Sequence, residues 1–239
     1  MEAKHNSLLI VLAFAIFKFS ACQLEDPKID LNVDDVLQLV LDTTSLPADG
    51  QSTFVITATL LEHSDPNKTL VFSSTYGKFV NGSTANTSKT TLKCNGRTTQ
   101  ALLQVSNQVA DRVFVTVDLE SFTQQIELST KPSLPDTLYL SPDSWVLKKN
   151  GGSVVTVTIQ ASKSIGQVSE MLPLFFSSPN TAAQNLLLNF NNLGQLKNGS
   201  ATVQIKSNSD STGMFLFRVD LPVGNAAPPI SSTIMLEVK

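Results

Sequence analysis

Leu46-Pro47-Ala48-Asp49-Gly50-Gln51-Ser52-Thr53-Phe54-Val55-Ile56-Thr57-Ala58-Thr59-Leu60 is the stretch whose reading decides the fold. Ala48-Asp49-Gly50 is a turn signal. Beyond it Phe54, Ile56, Ala58 and Leu60 alternate with Thr53, Val55, Thr57 and Thr59. Period two over eight residues predicts a β-strand with one buried and one wetter face. The same alternation recurs in Val113, Val115, Val117, in Val155, Val157, Ile159, Ala161 and in Phe215, Phe217, Val219. No window of 11 or more residues keeps a helical period. Turn signals at Ser64-Asp65-Pro66-Asn67, Asn81-Gly82, Asn95-Gly96, Asn150-Gly151-Gly152 and Asn198-Gly199 cut the chain into short strands, about seven per 100 residues, the pattern of a Greek-key β-sandwich.

The sandwich is expected twice, because the sequence repeats itself. Asp35-Val36-Leu37-Gln38-Leu39 aligns with Asp136-Thr137-Leu138-Tyr139-Leu140 at an offset of 101, which also carries Asp42 onto Asp143, Leu46 onto Leu147 and Gly50 onto Gly151. Leu70-Val71-Phe72-Ser73-Ser74 matches Leu174-Phe175-Phe176-Ser177-Ser178 at 104, and Val113 to Asp118 matches Phe215 to Asp220 at 102. Order is kept and spacing drifts by only three residues. The expected organisation is a signal peptide over residues 1–21, a flexible tether over 22–34, one sandwich over 35–130, a proline-bearing linker over 131–135 and a second sandwich over 136–239.

Three motifs carry a family resemblance: Leu46-Pro47-Ala48-Asp49-Gly50 running into its strand, Leu70-Val71-Phe72-Ser73-Ser74-Thr75-Tyr76-Gly77, and Asn95-Gly96-Arg97-Thr98-Thr99-Gln100-Ala101. In these the chain resembles the bacterial immunoglobulin-like (Ig-like) domains of the invasin and intimin type. The second copy keeps the skeleton and replaces Ala48-Asp49-Gly50 by Lys149-Asn150-Gly151. The resemblance implies an all-β fold, two tandem Ig-like Greek-key β-sandwiches, and a use as spacer or adhesive module on a bacterial surface. It marks fold more than activity.

The amino terminus addresses the chain to an envelope. Lys4 precedes the apolar run from Leu8 to Phe17, which at ten residues is too short to cross a bilayer as a helix and reads as a secretory segment. It ends in Phe19-Ser20-Ala21-Cys22, which resembles a lipoprotein signal-peptidase site with Phe19 in place of the usual Leu. Cys22 is therefore expected to become the first mature residue and to carry acyl chains of the palmitate kind. Each buried CH₂ contributes about 0.8 kcal/mol, so the two or three chains of a bacterial lipoprotein hold it durably on the membrane. Ordinary secretion with cleavage near Ala21 is the alternative. Gln23 and the acidic Glu25-Asp26 fit sorting to the outer membrane, with surface exposure an open option.

Without Glu2, Lys4 and Lys18 the chain has 15 basic and 19 acidic residues, a net charge of −4, which steers it toward neither nucleic acid nor anionic lipid. Past residue 22 it has one cysteine, Cys94, and one histidine, His63, too few for a metal set or a Ser/His triad. Asp42, Asp118, Asp143 and Asp220 recur as repeat partners and read as turn caps rather than as a glycosidase pair. No catalytic residue, metal or cofactor is expected. Trp145 stands where the first copy has Thr44, so the fold does not require it. It reads either as packing at the domain junction or as a contact residue. Four Asn-x-Ser/Thr sequons, at Asn67, Asn81, Asn86 and Asn198, read as polar turns in a bacterium. The expected function is a membrane-anchored, non-catalytic binding, adhesion or spacer lipoprotein, with a protein or glycan partner on the distal, second domain. The alternative is an accessory subunit of an envelope nutrient-uptake or secretion complex.

Overall fold

Thr53–Leu60 is a strand of eight residues in which Phe54, Ile56, Ala58 and Leu60 are completely buried. A computed structural model describes residues 32–62, 64–181, 186–224 and 227–239. Cys22 and the signal segment lie outside the described residues, as does His63. The first sandwich contains β1 (Leu37–Leu41), β2 (Ser45–Pro47), β3 (Thr53–Leu60), β4 (Thr69–Ser74), β5 (Lys78–Phe79), β6 (Lys89–Lys93), β7 (Thr98–Gln104), β8 (Val113–Leu119) and β9 (Phe122–Lys131). They form one sheet in the order β1-β3-β7-β5 and a second in the order β2-β9-β8-β4-β6. The second sandwich contains β10 (Thr137–Pro142), β11 (Val146–Leu147), β12 (Val154–Ser162), β13 (Pro173–Ser177), β14 (Leu188–Asn189), β15 (Leu193–Gln195), β16 (Ser200–Ser207), β17 (Gly213–Leu221) and β18 (Ile230–Val238). Its sheets, β10-β12-β16-β14 and β11-β18-β17-β13-β15, repeat the first pair strand for strand.

The two copies bury the same positions. Phe54, Phe72, Phe79 and Leu103 fill the first core, with the rings of Phe72 and Phe79 edge to face at 6.2 Å. Val155, Val157, Ile159, Phe215 and Phe217 fill the second, where Phe217 takes Phe176 on one side at 6.0 Å and Phe190 on the other at 5.5 Å. Each fully buried large side chain contributes about 1.5–3 kcal/mol. These cores hold without a disulfide among the described residues, and the free Cys94 is buried. Two of the four repeated aspartates cap backbone: Asp42 Oδ1 accepts from Thr43 N at 2.8 Å and Val55 N at 3.0 Å, and Asp143 Oδ1 accepts from Thr156 N at 3.0 Å, whereas Asp118 accepts from the Thr123 hydroxyl at 2.8 Å and Asp220 from Arg218 Nε at 2.8 Å.

Both ends of the first sandwich differ in detail from the sequence reading. Val33–Asp35 make a short 3-10 turn, and Asp34 accepts from Gln124 Nε2 at 3.1 Å, so the end of the stretch read as tether packs against the sandwich. Lys131, read as the start of the linker, is the last residue of β9. Residues Val33 to Lys239 form one compact unit.

Candidate functional site

The turn that opened the sequence reading is where the second sandwich meets the first. Ala48 is fully buried and its N–H donates to Lys131 O at 2.8 Å, which ties the turn to the end of β9. The Asp49 carboxylate accepts from Gln51 N, Ser52 N and the Ser52 hydroxyl at 2.7–2.9 Å. Burial pushes this carboxyl up, but the donors from Ser52 and Gln51 outweigh it and hold Asp49 below the ordinary carboxylate value. Gly50 closes the turn at φ +71°, where a side chain would be strained.

So shaped, the turn points its carbonyls at the second sandwich. Asp49 O accepts from Gln167 N at 2.8 Å, and Ala48 O accepts from the Ser169 hydroxyl at 2.8 Å. The same Ser169 oxygen accepts from Ser133 N at 2.8 Å. Ser133 in turn donates its hydroxyl to Gln167 O and accepts from Ser169 N through its carbonyl. Ser133 and Ser169 are both buried. Asn107 and Glu170 close the rim, through Glu170 N to Asn107 O at 2.8 Å and Asn107 Nδ2 to Glu170 Oε1 at 3.0 Å. Gly166, at φ +78°, lies against Asp49, and a Cβ there would come within 2.9 Å of Asp49 Cβ. The linker is therefore part of a hydrogen-bonded joint.

Trp145 is not in that joint, which corrects the expectation that it packs at the junction. It is 58% exposed, and its carbonyl accepts from Glu237 N at 3.0 Å, where β11 pairs with the last residues of β18. The physical reason is strand direction. β10 starts beside Ser162 near the joint and runs six residues before Trp145 is reached, about 20 Å at 3.3 Å per residue. Its ring presents a free apolar surface at the other end of the second sandwich.

A larger difference between the copies lies on the outer face of their five-stranded sheets. Pairing registers align Thr91 with Leu193, Val71 with Phe175, Arg112 with Met214, Phe114 with Leu216 and Glu127 with Met235. In the first sandwich Arg112 grips Glu127 through two bonds at 2.8 and 2.9 Å and lies 5.3 Å from the Phe114 ring centre. In the second, Leu193, Phe175, Met214 and Met235 stand 61%, 46%, 46% and 47% exposed. Arg218, paired with Asp220 at 2.8 Å, crosses this apolar face. Single exposed apolar residues are ordinary, whereas these four share the outer face of one sheet. The sequence reading missed these residues. Their signal was a change from polar to apolar at three outward strand positions, Thr91 to Leu193, Arg112 to Met214 and Glu127 to Met235, with Val71 enlarged to Phe175 at the fourth.

Among the described residues no three His, Cys, Asp or Glu side chains converge to hold a metal ion, and no helix is long and apolar enough to cross a membrane. No protein-family model matches the chain, and no curated protein matches it in sequence. Solved structures do. The Yersinia pseudotuberculosis adhesin InvE superposes with a TM-score of 0.58 at 18% identity, over 87% of this chain and 60% of InvE. Invasin, a bacterial integrin-binding protein, superposes with a TM-score of 0.54 at 17% identity, over 84% of this chain and 39% of invasin. The fold is tandem Ig-like. The chain thus spans under two thirds of either protein, and at these identities the likeness concerns fold.

Proposed function

We propose that the chain is a non-catalytic binding or adhesion module of a bacterial cell envelope, held on the membrane by lipid on Cys22 and meeting its partner through the outer face of its second sandwich. The observation that carries the binding part is the exchange of Thr91, Val71, Arg112 and Glu127 for Leu193, Phe175, Met214 and Met235 at equivalent positions of one fold. A sandwich kept only as a spacer gains nothing from exposing them, whereas a partner that covers them recovers about 25 cal/mol per Å² of apolar surface. Anchoring rests on the secretory segment and on Ser20-Ala21-Cys22. The adhesive reading draws on the adhesin InvE and the integrin-binding protein invasin, which contain the same fold.

Two measurements test this. A photo-crosslinking side chain placed at Phe175 in cells is expected to capture a defined partner that the same probe at Val71 does not. Equal capture from both positions, or none from either, removes the binding face. A clickable fatty acid is expected to label the wild type and not Cys22→Ala, and an unlabelled wild type removes the anchor.

A further inference from the structure

The two sandwiches also differ in how they cover one sheet edge. Register sets the alignment: Thr53 pairs with Gln104 and Val154 with Lys206, so Leu102 and Gln100 of β7 correspond to Gln204 and Thr202 of β16. Likewise β5 lies on Gln104 and Leu103 as β14 lies on Lys206 and Ser207, which makes Phe190 the counterpart of Phe79. On the other sheet, Thr91 and Leu193 correspond, and hence Lys89 and Asn191. The nine residues 80–88 of the first sandwich thus have no counterpart in the second.

In the first sandwich those residues finish the edge of β7. Val80 N donates to Leu102 O at 2.9 Å, and the Asn81 carboxamide donates to Gln100 O and accepts from Leu102 N, both at 2.8 Å. In the second sandwich no described residue covers the same backbone groups. Thr156 directs its N–H and carbonyl at Asp143, so its partner across the ladder, Gln204, has its own N–H and carbonyl turned outward. Nothing among the described residues bonds to the main chain of Gln204 or Thr202 on that side. Beside them lies a cavity of about 530 Å³ floored by Phe176, Phe190 and Val203, with Leu193 connecting it to the apolar outer face. Lys206 also lines it, with the end of its side chain beside Gly151, and pairs with no carboxylate among the described residues.

We propose that this edge takes an extended peptide segment of a partner protein, added as a strand beside β16 at Thr202 to Gln204. The partner's N–H would donate to Gln204 O as Val80 does to Leu102. Its carbonyl, or an Asn or Gln carboxamide, would accept from Gln204 N as Asn81 does from Leu102. An apolar side chain would enter against Phe176 and Phe190, and Lys206 would favour an acidic neighbour. Main-chain bonds of this kind supply affinity and the pocket supplies selectivity. The first sandwich shows the chemistry that fills the place, because there the chain fills it with its own segment. Left unfilled, an open edge is a template for uncontrolled pairing. This inference rests on the binding reading above and names the partner's chemistry.

The test uses the full mature chain with Cys22→Ser and a phage-displayed library of random dodecapeptides. Two variants accompany it. Gln204→Pro deletes the outward N–H without touching the ladder to β12, and a graft inserts residues 80–88 between Phe190 and Asn191 so that the chain covers its own edge. Selected peptides are expected to slow amide exchange at Gln204 about tenfold at 90% occupancy, to bind Gln204→Pro about tenfold more weakly, and to lose binding to the graft. Peptides that bind the graft equally, or that protect only other amides, overturn the edge site while leaving the outer-face reading to its own crosslinking test. Chito-oligosaccharide, whose acetamido group mimics the Asn81 carboxamide, protecting Gln204 where no peptide does would also overturn it.

Discussion

Asp49 gathers three donors onto one carboxylate and thereby aims two carbonyls at the second sandwich. Asp49→Ala leaves those donors without an acceptor in a buried turn, and is expected to cost about 2 kcal/mol, or about 4–8 °C in melting temperature for a chain of this size. Because the folded carboxyl titrates below its ordinary value of 3.8, its contribution is complete above that value and fades as pH falls through the lower one. The gap between wild type and Asp49→Ala should therefore be full in melts near pH 7 and shrink as pH falls below 3.8. Ser169→Ala removes the hydroxyl that bridges Ser133 N to Ala48 O, both inside the joint, and a loss of about 2 kcal/mol is expected from denaturant titration. Cys94 is 3% exposed and burial pushes its thiol up. It should react with a thiol reagent about 100-fold more slowly in the native chain than in urea, and native labelling at the unfolded rate would contradict its place in the core.

At the scale of elements, the loop 80–88 is an edge cover. Asn81→Ala is expected to speed amide exchange at Leu102 about tenfold while leaving Ile56 and Leu103 in the core untouched, since only the outward bonds are lost. The matching amide of Gln204 should exchange at that faster rate already in the wild type. The repeat made strand order legible, but offsets of 104 and 102 conceal how the copies differ. Between β13 and β14 the second sandwich has ten residues where the first has three between β4 and β5, and it then lacks the nine of 80–88. The two changes nearly cancel in a count of residues. Pairing registers separate them, because each strand is fixed to a partner whose number is known.

At the scale of the molecule, the joint of Ala48, Asp49, Ser133, Gln167 and Ser169 couples two sandwiches that each own a core. A fragment of residues 33–131 is expected to show strand circular dichroism and to melt below the full chain, because Ala48 O and Asp49 O lose their donors. An unfolded fragment would mean that neither core suffices alone. By itself the sequence determined the strands, their inward faces, the duplication, the turn at Ala48-Asp49-Gly50 and the cap roles of Asp42 and Asp143. These follow from period-two alternation and local turn chemistry, which act over a few residues. Only the tertiary structure decided that Trp145 faces away from the joint, that the Ala48-Asp49-Gly50 turn is a docking surface, and that one copy leaves open an edge the other covers. Those depend on which strand lies beside which, and hydrogen-bond pairing between residues far apart in the chain is invisible to any local pattern.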